Sequence, residues 1–435
     1  MLLKRKDIIS SIYLLSIVLL TMLNVKTNLA VIGVYLIFNI LLITEVESLI
    51  SVCVVVSTIA YYFVGADEGI YSIYTLLILV IIIKKLLDRK FVIPPETGKS
   101  LLYGFALIVI AIISYNQSKY EYFNGLVELI YIIIVSALIA CFCYIDYKKL
   151  IHCLVMHACI LILLYAIFLP FQYSYLEGRY SISENVNFNT FGMSCAQLAT
   201  IILLDILLCE KRRMLKKAKI LVFIVALVLL YLSGSRTSLF AVVAAIAIIL
   251  TIIANRKEVL SRTARRSIIV GLVIMVAGIG VANFLGLDLS NYDYIVLLRG
   301  GGTNRFTIYQ FIIPYIIAGG YYKFGYGPGH ECSRIIVSQL VGRNYAHTHN
   351  LYIEAFGELG IGGLLLTGFI IFRAIKLALK TSHNSVERYI PFGMLICLLI
   401  NGLGESYFCD IIFWLLLALC TNTNGVIEQR NEESI

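Results

Sequence analysis

The feature that most constrains this chain is a series of apolar runs, each close in length to a helix that crosses a bilayer, which needs about 20 apolar residues. Hydrophobic residues make up 60% of the 435 positions and charged residues only 14%, against about 25% charged in soluble domains. Fourteen runs stand out, near residues 8–23, 29–44, 47–65, 70–87, 99–115, 124–145, 150–171, 188–209, 218–233, 236–254, 267–286, 349–373, 388–402 and 405–422. Two pairs of these runs are short, so the sequence predicts an all-α, polytopic membrane helical bundle with about 12–14 transmembrane helices.

The lysines and arginines are unevenly divided between the two sides that these runs define. With the N-terminus on the inner side, 26 of the 35 fall on inner segments. Cytoplasmic loops of membrane proteins collect Lys and Arg, so we expect both termini in the cytoplasm. The net charge of +9 then follows from topology, and no nucleic-acid partner is expected.

The alternation of runs divides the chain into four predicted parts. They are an N-terminal transmembrane bundle (1–286), an extracytoplasmic loop with an amphipathic outer helix near 306–318 (287–348), C-terminal transmembrane helices (349–422) and a cytoplasmic tail (423–435). Most of the eleven cysteines lie inside apolar runs, where Cys acts as a small hydrophobe. The sequence has no C-x-x-C spacing, so zinc bound by cysteines is not expected. The sequence gives no reason to expect another metal ion or a cofactor.

Outward-facing arginines are the first candidates for binding a ligand. Ser233-Gly-Ser-Arg-Thr-Ser238 is a very short turn with Arg236 at the membrane surface. Arg236 could extend toward lipid headgroups, or it could bind phosphate with Ser235 and the amides of a helix start. Farther along, Arg299 and Arg305 flank three glycines, which allow a ligand to approach the backbone closely.

A second group of candidates surrounds the start of the helix predicted at 349–373. His347-Thr-His349-Asn350 closes the large loop, and a histidine there could accept a proton near neutral pH. His349 and Asn350 could instead only cap the helix. Glu354 and Glu358 share a face with Asn350, which favours a functional role, although Glu358-Leu-Gly could be a packing contact. Upstream, the glycine-rich segment 325–330 is more typical of a tight turn than of a nucleotide site.

Three motifs in one order resemble the O-antigen ligase and polymerase superfamily of envelope glycosyltransferases. The first is Gly234-Ser-Arg-Thr237. The second is Asn304-Arg-Phe306, with Gly325-Tyr-Gly-Pro-Gly329 downstream. The third is His349-Asn-Leu-Tyr352 followed by Glu358-Leu-Gly-Ile-Gly362. Together they cover about the last half of the chain.

The resemblance implies a metal-independent, GT-C-like enzyme whose donor is a glycan on undecaprenyl diphosphate. By position, Arg236 and Arg305 match the diphosphate-binding arginines of the family and His349 matches its proposed base. We add Ser235, Arg299, Asn350 and Glu354 as candidate substrate-binding residues. A Trp that usually follows the second arginine is absent, and Tyr309 stands in that region.

The resemblance favours a polymerase for O-antigen or capsular polysaccharide in the bacterial cytoplasmic (inner) membrane. It would join lipid-linked repeat units on the outer face, surrounded by membrane lipids, and a chain-length regulator and a flippase are possible partners. The alternative within the superfamily is a ligase that moves the finished glycan to a lipid, such as lipopolysaccharide core, or to a protein. From another class, the alternative is a polysaccharide flippase, which predicts charged residues at the membrane midplane and paired broken helices.

Overall fold

The computed structural model describes residues 46–57, 95–120, 122–142, 145–168, 188–209, 212–254, 308–341, 348–382 and 385–422. Its α-helices, numbered along the chain, are α1 (Val46–Ser57), α2 (Pro95–Gln117), α3 (Phe123–Phe142), α4 (Tyr147–Phe168), α5 (Phe188–Leu208), α6 (Arg213–Leu232), α7 (Arg236–Ala254), α8 (Ile308–Ala318), α9 (His330–Val341), α10 (Leu351–Thr381), α11 (Tyr389–Asn401) and α12 (Ile411–Thr421). Predicted runs 8–23, 29–44, 70–87 and 267–286 lie outside the described residues.

The apolar runs that the structure describes form helices, as the sequence predicts. Six of the described helices are long and apolar enough to cross a membrane, namely α2, α3, α4, α5, α7 and α10. The chain is therefore a polytopic, all-helical membrane protein. Helix α7 occupies the predicted residues 236–254, because an uninterrupted apolar run leaves little freedom in where a spanning helix begins and ends.

Two predicted runs differ from the observed helices. The run 405–422 forms a helix only from Ile411, because Asp410 caps it by accepting the Ile412 amide at 3.3 Å. Glu405 therefore lies in a loop and not in a span. The run 349–373 continues to Thr381, and it contains a break at Gly360, whose φ of 70° is non-helical.

Helices α11 and α12 form the interior of the bundle. Helix α11 packs against α5, α7 and α12, and α12 packs against α3 and α10. Nearly every side chain of both helices is buried. With 13 residues, α11 is about 20 Å long, which is shorter than the hydrocarbon core of about 30 Å.

The turns between helices gather at two ends of the bundle. We call one the site end, with turns 118–120, 233–235, 325–329, 348–350 and 402–410. We call the other the distal end, with segments 145–146 and 385–388 and Asn422. Of the 16 described lysines and arginines, 12 lie toward the distal end, namely Lys99, Lys148, Lys149, Arg212, Arg213, Lys216, Lys217, Lys219, Arg373, Lys376, Lys380 and Arg388. This division agrees with the side assignments that the sequence predicts for these residues.

Helices α8 and α9 form a small outer unit at the site end. A helix is observed as α8 within the stretch 306–318, and it buries Ile308, Ile312 and Ile316 at a spacing of four residues. These side chains join Tyr326 and Cys332 in a hydrophobic cluster that is separate from the main core. The other parts of the predicted loop, 287–307 and 342–347, lie outside the described residues.

Candidate active site

The start of α10 places His349 at the site end with its backbone held from several directions. Asn350 is the N-cap of the helix, and its side-chain oxygen accepts the amides of Tyr352 and Ile353 at 3.0 Å each. His349 has a φ of 51°, a left-handed conformation that is uncommon outside glycine. Such conformations persist only where their surroundings impose them, and they cluster at functional sites.

The imidazole of His349 is paired with a carboxylate that follows it by 56 residues. His349 Nδ1 lies 3.1 Å from Glu405 Oε2. The histidine side chain is 16% exposed and the glutamate side chain 11% exposed. A His–carboxylate contact fixes the ring orientation and the tautomer, and it stabilises the imidazolium once a proton is taken up.

The loop 402–410, which carries Glu405, is bonded to the start of α10 through its backbone. Leu351 N donates to Gly402 O at 2.8 Å, and Asn350 Nδ2 donates to Leu403 O at 3.1 Å. One turn deeper, the fully buried Glu354 accepts the Phe408 amide at 3.3 Å. The histidine and its carboxylate are therefore mounted on one rigid frame.

The outer unit supports the same frame through Tyr309. Its hydroxyl donates to His349 O at 2.8 Å and lies 3.4 Å from Leu403 O. Tyr309 stands in the region where the resembled family usually has a Trp. Its contact shows that this position bears directly on the backbone of His349.

The turn before α7 reaches the other side of the same loop. Ser235 and Ser238 are buried, and their hydroxyls lie 2.7 Å apart. Ser238 Oγ donates to Asn401 Oδ1 at 3.4 Å, and Asn401 Nδ2 donates to the Tyr407 hydroxyl at 2.6 Å. Arg236, the first residue of α7, is partly exposed beside this chain of contacts.

A second buried carboxylate, that of Glu358, holds the outer unit on the bundle. Its two oxygens accept the Gly329 amide and the Ser333 hydroxyl, at 3.0 Å each. Cys409 Sγ lies 3.5 Å from the same carboxylate. The packing interpretation of Glu358-Leu-Gly is therefore confirmed, and the segment 325–329 is a tight turn pressed against α10.

The glycines of this contact are required by close backbone approach. A Cβ on Gly360 would lie 2.7 Å from Lys323 O, and a Cβ on Gly357 would lie 2.5 Å from the Tyr326 ring. Ile361 N donates to Tyr322 O at 2.8 Å across the break in α10. The break therefore exposes a helix amide, which the outer unit satisfies.

The thiol of Cys332, in the same contact, is kept neutral. Burial first, and then the nearby Glu358 carboxylate, raise the pKa of Cys332 to about 12. Burial and Glu358 also raise the pKa of Tyr326 well above its usual value. Neither side chain is suited to act as a nucleophile near neutral pH.

The structure brings most of the predicted site residues onto one segment, 401–408. Ser235 reaches it through Ser238 and Asn401, and Asn350 and Glu354 bond it directly. Arg299, Arg305 and His347 lie outside the described residues. Within the described residues, no group of three or more His, Cys, Asp and Glu is arranged to hold a metal ion.

Glu405 is the site residue that sequence reasoning missed. The sequence groups it with other scattered ionisable residues of the apolar runs, among them Asp205 and His157. Those two are bonded inside the bundle, Asp205 to Lys219 at 2.5 Å and His157 to Ser51 at 2.7 Å. The signal that distinguishes Glu405 is local, since Gly402 and Gly404 interrupt the run immediately before it.

Part of the chain matches a known protein family. Residues 221–368 match the model of a family described as O-Antigen ligase, and the match includes the Ser233–Arg236 turn and His349. No curated protein matches the chain. The chain is thus a polytopic membrane protein that contains, at residues 221–368, a region similar to the O-antigen ligase family.

Proposed function

We propose that this protein is a polysaccharide polymerase that joins lipid-linked repeat units on the outer face of the cytoplasmic membrane. The donor is a glycan on undecaprenyl diphosphate, and the acceptor is a sugar hydroxyl of another lipid-linked unit. The observation that carries the proposal is the 3.1 Å contact between His349 Nδ1 and Glu405 Oε2, mounted at the entrance to a membrane helix. The family match supports the reaction class.

His349 is the proposed general base. With Nδ1–H donating to Glu405, the neutral imidazole carries its lone pair on Nε2. Nε2 accepts the proton of the acceptor hydroxyl as that oxygen bonds to the anomeric carbon of the donor. A positioned base of this kind contributes about 100- to 10,000-fold in rate. Glu405 then stabilises the imidazolium in the same way as the carboxylate of a Ser-His-Asp triad.

Arg236 and Arg305 are the proposed ligands of the leaving group. The bond from the anomeric carbon to the diphosphate breaks, and the diphosphate keeps the electron pair. A planar guanidinium presents donors that match phosphate oxygens and stays charged at any working pH. The buried Ser235 and Ser238 hydroxyls, which lie 2.7 Å apart, fix the turn from which Arg236 projects. Arg305 lies only four residues before Tyr309, which bonds His349 O.

We further propose that no metal ion takes part, because the two arginines supply the positive charge that a phosphate-bound cation would otherwise provide. Arg299 would contact the donor from the same loop. Ser235, Asn350 and Glu354 would contribute to substrate binding. Asn350 and Glu354 would do so indirectly, by holding segment 402–408 in place.

Reconstitution with a single substrate separates the polymerase from a ligase. Purified protein in vesicles would be given lipid-linked repeat units with no other acceptor. A polymerase forms ladders of two, three and more units. A ligase leaves the units unchanged until lipopolysaccharide core or an acceptor protein is added, and that result would replace the polymerase assignment by the ligase alternative.

A flippase is distinguished by where repeat units accumulate when the protein is missing. Without a polymerase, single units still reach the outer leaflet. Without a flippase, they remain on the inner face. Trapping of all units inside would overturn the enzyme proposal.

The orientation is tested with an impermeant thiol reagent in intact cells carrying Tyr322→Cys or Arg213→Cys in a cysteine-free background. Labelling at 322 and protection at 213 is expected, and the reverse pattern would invert the topology.

A further inference from the structure

A groove far from the candidate active site combines a half-buried arginine with apolar walls. It lies among α2, α3, α10 and α12 toward the distal end, and it encloses about 460 Å³ including its open mouth. Most of its wall is apolar. Its polar side chains are those of Ser100, Ser136, Arg373 and Thr421, together with the ring substituents of Tyr103 and Trp414.

Arg373 is the charge of the groove. Its guanidinium carbon lies 5.5 Å from the centre of the Tyr103 ring, and Tyr103 in turn packs edge-on against Phe369. The thirteen lining residues include no Asp or Glu. Arg373 is therefore the one charged side chain among the lining residues, and it lies in a setting of low polarity, where a polar or anionic ligand group can bond it.

Ser136 supplies an independent indication that a ligand fits here. The residue is 5% exposed, and no described residue hydrogen-bonds its hydroxyl. A buried hydroxyl without a partner is costly, and native structures rarely leave one in that state. Ser136 Oγ lines the same groove as Arg373, so a single polar ligand can satisfy it while it also meets the cation.

The groove lies toward the distal end of α10, on the part of the helix that follows the break at Gly360. Arg373 lies eight residues before its end, or about 12 Å from it. The mouth is flanked by the exposed side chains of Phe372 and Leu102, which offer an apolar surface for acyl chains.

We propose that this groove is a binding site for an anionic phospholipid, whose phosphate bonds Arg373 and whose polar headgroup reaches Ser136. Basic pockets between transmembrane helices are suited to anionic headgroups. The site does not depend on the proposed transferase chemistry, since it lies at the opposite end of the bundle from His349.

Trp414 gives a direct readout, because it lines the groove and is the one tryptophan of the chain. Purified protein would be placed in phosphatidylcholine vesicles that contain phosphatidylglycerol, with bromine on the acyl chains of one lipid or the other. Quenching of Trp414 by brominated phosphatidylglycerol should exceed that by brominated phosphatidylcholine, with a preference of about tenfold. Equal quenching by the two lipids would overturn the proposal.

Variants of Arg373 and Ser136 test whether these residues produce the preference for phosphatidylglycerol. Arg373→Met keeps an apolar stem and should abolish it, whereas Lys376→Met removes an exposed cation of the same helix and should leave it unchanged. Ser136→Ala should lower it about fivefold, which keeps the test decisive if Arg373→Met does not fold. An unchanged preference in both Arg373→Met and Ser136→Ala would refute the site. Reversal of the quenching by millimolar inorganic phosphate would show that the ligand is free phosphate and not a lipid.

Discussion

The two ends of the bundle are held together by different kinds of contact. At the distal end, Arg388 stacks over Tyr147 at 3.9 Å and donates to Asn422 O at 2.7 Å. Asn422 in turn donates to Ala140 O at 3.2 Å. These contacts join the ends of apolar helices directly, and the described part of the distal end is rich in cations.

At the site end the contacts pass through turns. Segment 401–408 bonds both the start of α10 and the chain of hydroxyls beside α7, and Glu358 bonds the outer unit. Of the 16 described cations, only Lys119, Arg236, Lys323 and Arg334 lie here. The contacts of the distal end therefore serve mainly to stabilise the fold. The polar contacts of the site end instead fix the positions of a few charged groups.

The largest effect expected from this comparison is at the arginines. Arg236→Ala and Arg305→Ala should each lower polymer formation by about 100-fold or more, because each removes a preorganised charge from the leaving diphosphate. Arg→Lys should restore little, since a point charge does not replace a planar fork of donors. Gel analysis of surface glycan measures this, with Arg213→Ala, exposed at the distal end, as the control. Normal polymer formation by both lysine variants would contradict the proposed role of these arginines in binding the diphosphate.

The next effect concerns the carboxylate behind the base. Glu405→Gln preserves shape but removes the charge that stabilises an imidazolium on His349. Turnover should fall by about 10- to 100-fold, in proportion to a hydrogen bond between charged groups. The folded yield should be unchanged. Glu387→Gln, at the distal end, is the matched control. If Glu405→Gln turns over normally, the pair serves only to hold the loop.

A smaller effect, on stability, is expected where the outer unit meets α10. Gly360→Ala adds a Cβ that would meet Lys323 O at 2.7 Å, at a φ of 70°. We expect a loss of about 1–3 kcal/mol in stability, from strain at a left-handed position. Gly368→Ala, on the same helix with open space around it, should be neutral or slightly stabilising. Thermal unfolding in detergent compares the two, and equal melting temperatures would contradict the tight contact.

The smallest effect on turnover is expected at the distal end. Arg388→Met loses the bond to Asn422 O and the stacking on Tyr147, and should lower stability by about 1–3 kcal/mol. Turnover per folded molecule should stay the same. Lys380→Met, an exposed cation nearby, should change neither quantity. A loss of turnover in folded Arg388→Met would show that the two ends are coupled.

The sequence predicts the helices well and the pairing of loops poorly. Apolar runs near 20 residues must form spanning helices, so α5 and α7 begin at the predicted residues. The motif Ser233–Ser238 and His349 could be identified because polar groups at membrane ends are few. Periodicity carries no information on which turns meet, so the link from Ser238 to Asn401 was not predictable.

The missed residue illustrates the same limit. Glu405 falls within an apolar run. Apart from the two glycines before it, only the contact with His349, 56 residues earlier, separates it from the structural carboxylates. The break at Gly360 was also not predicted, since one glycine in a helix is tolerated. Its reason is the outer unit, whose Lys323 and Tyr322 backbone carbonyls approach the helix closely.

The most direct test of the account is the turnover of purified His349→Ala on lipid-linked repeat units, measured with a chelator present and alongside donor binding. We expect turnover at least about 100-fold below wild type with donor affinity unchanged, because the arginines carry binding. His152→Ala, an exposed histidine near the distal end, should match wild type, and wild type should remain active with chelator. Full turnover of His349→Ala would contradict the assignment of this residue as the base.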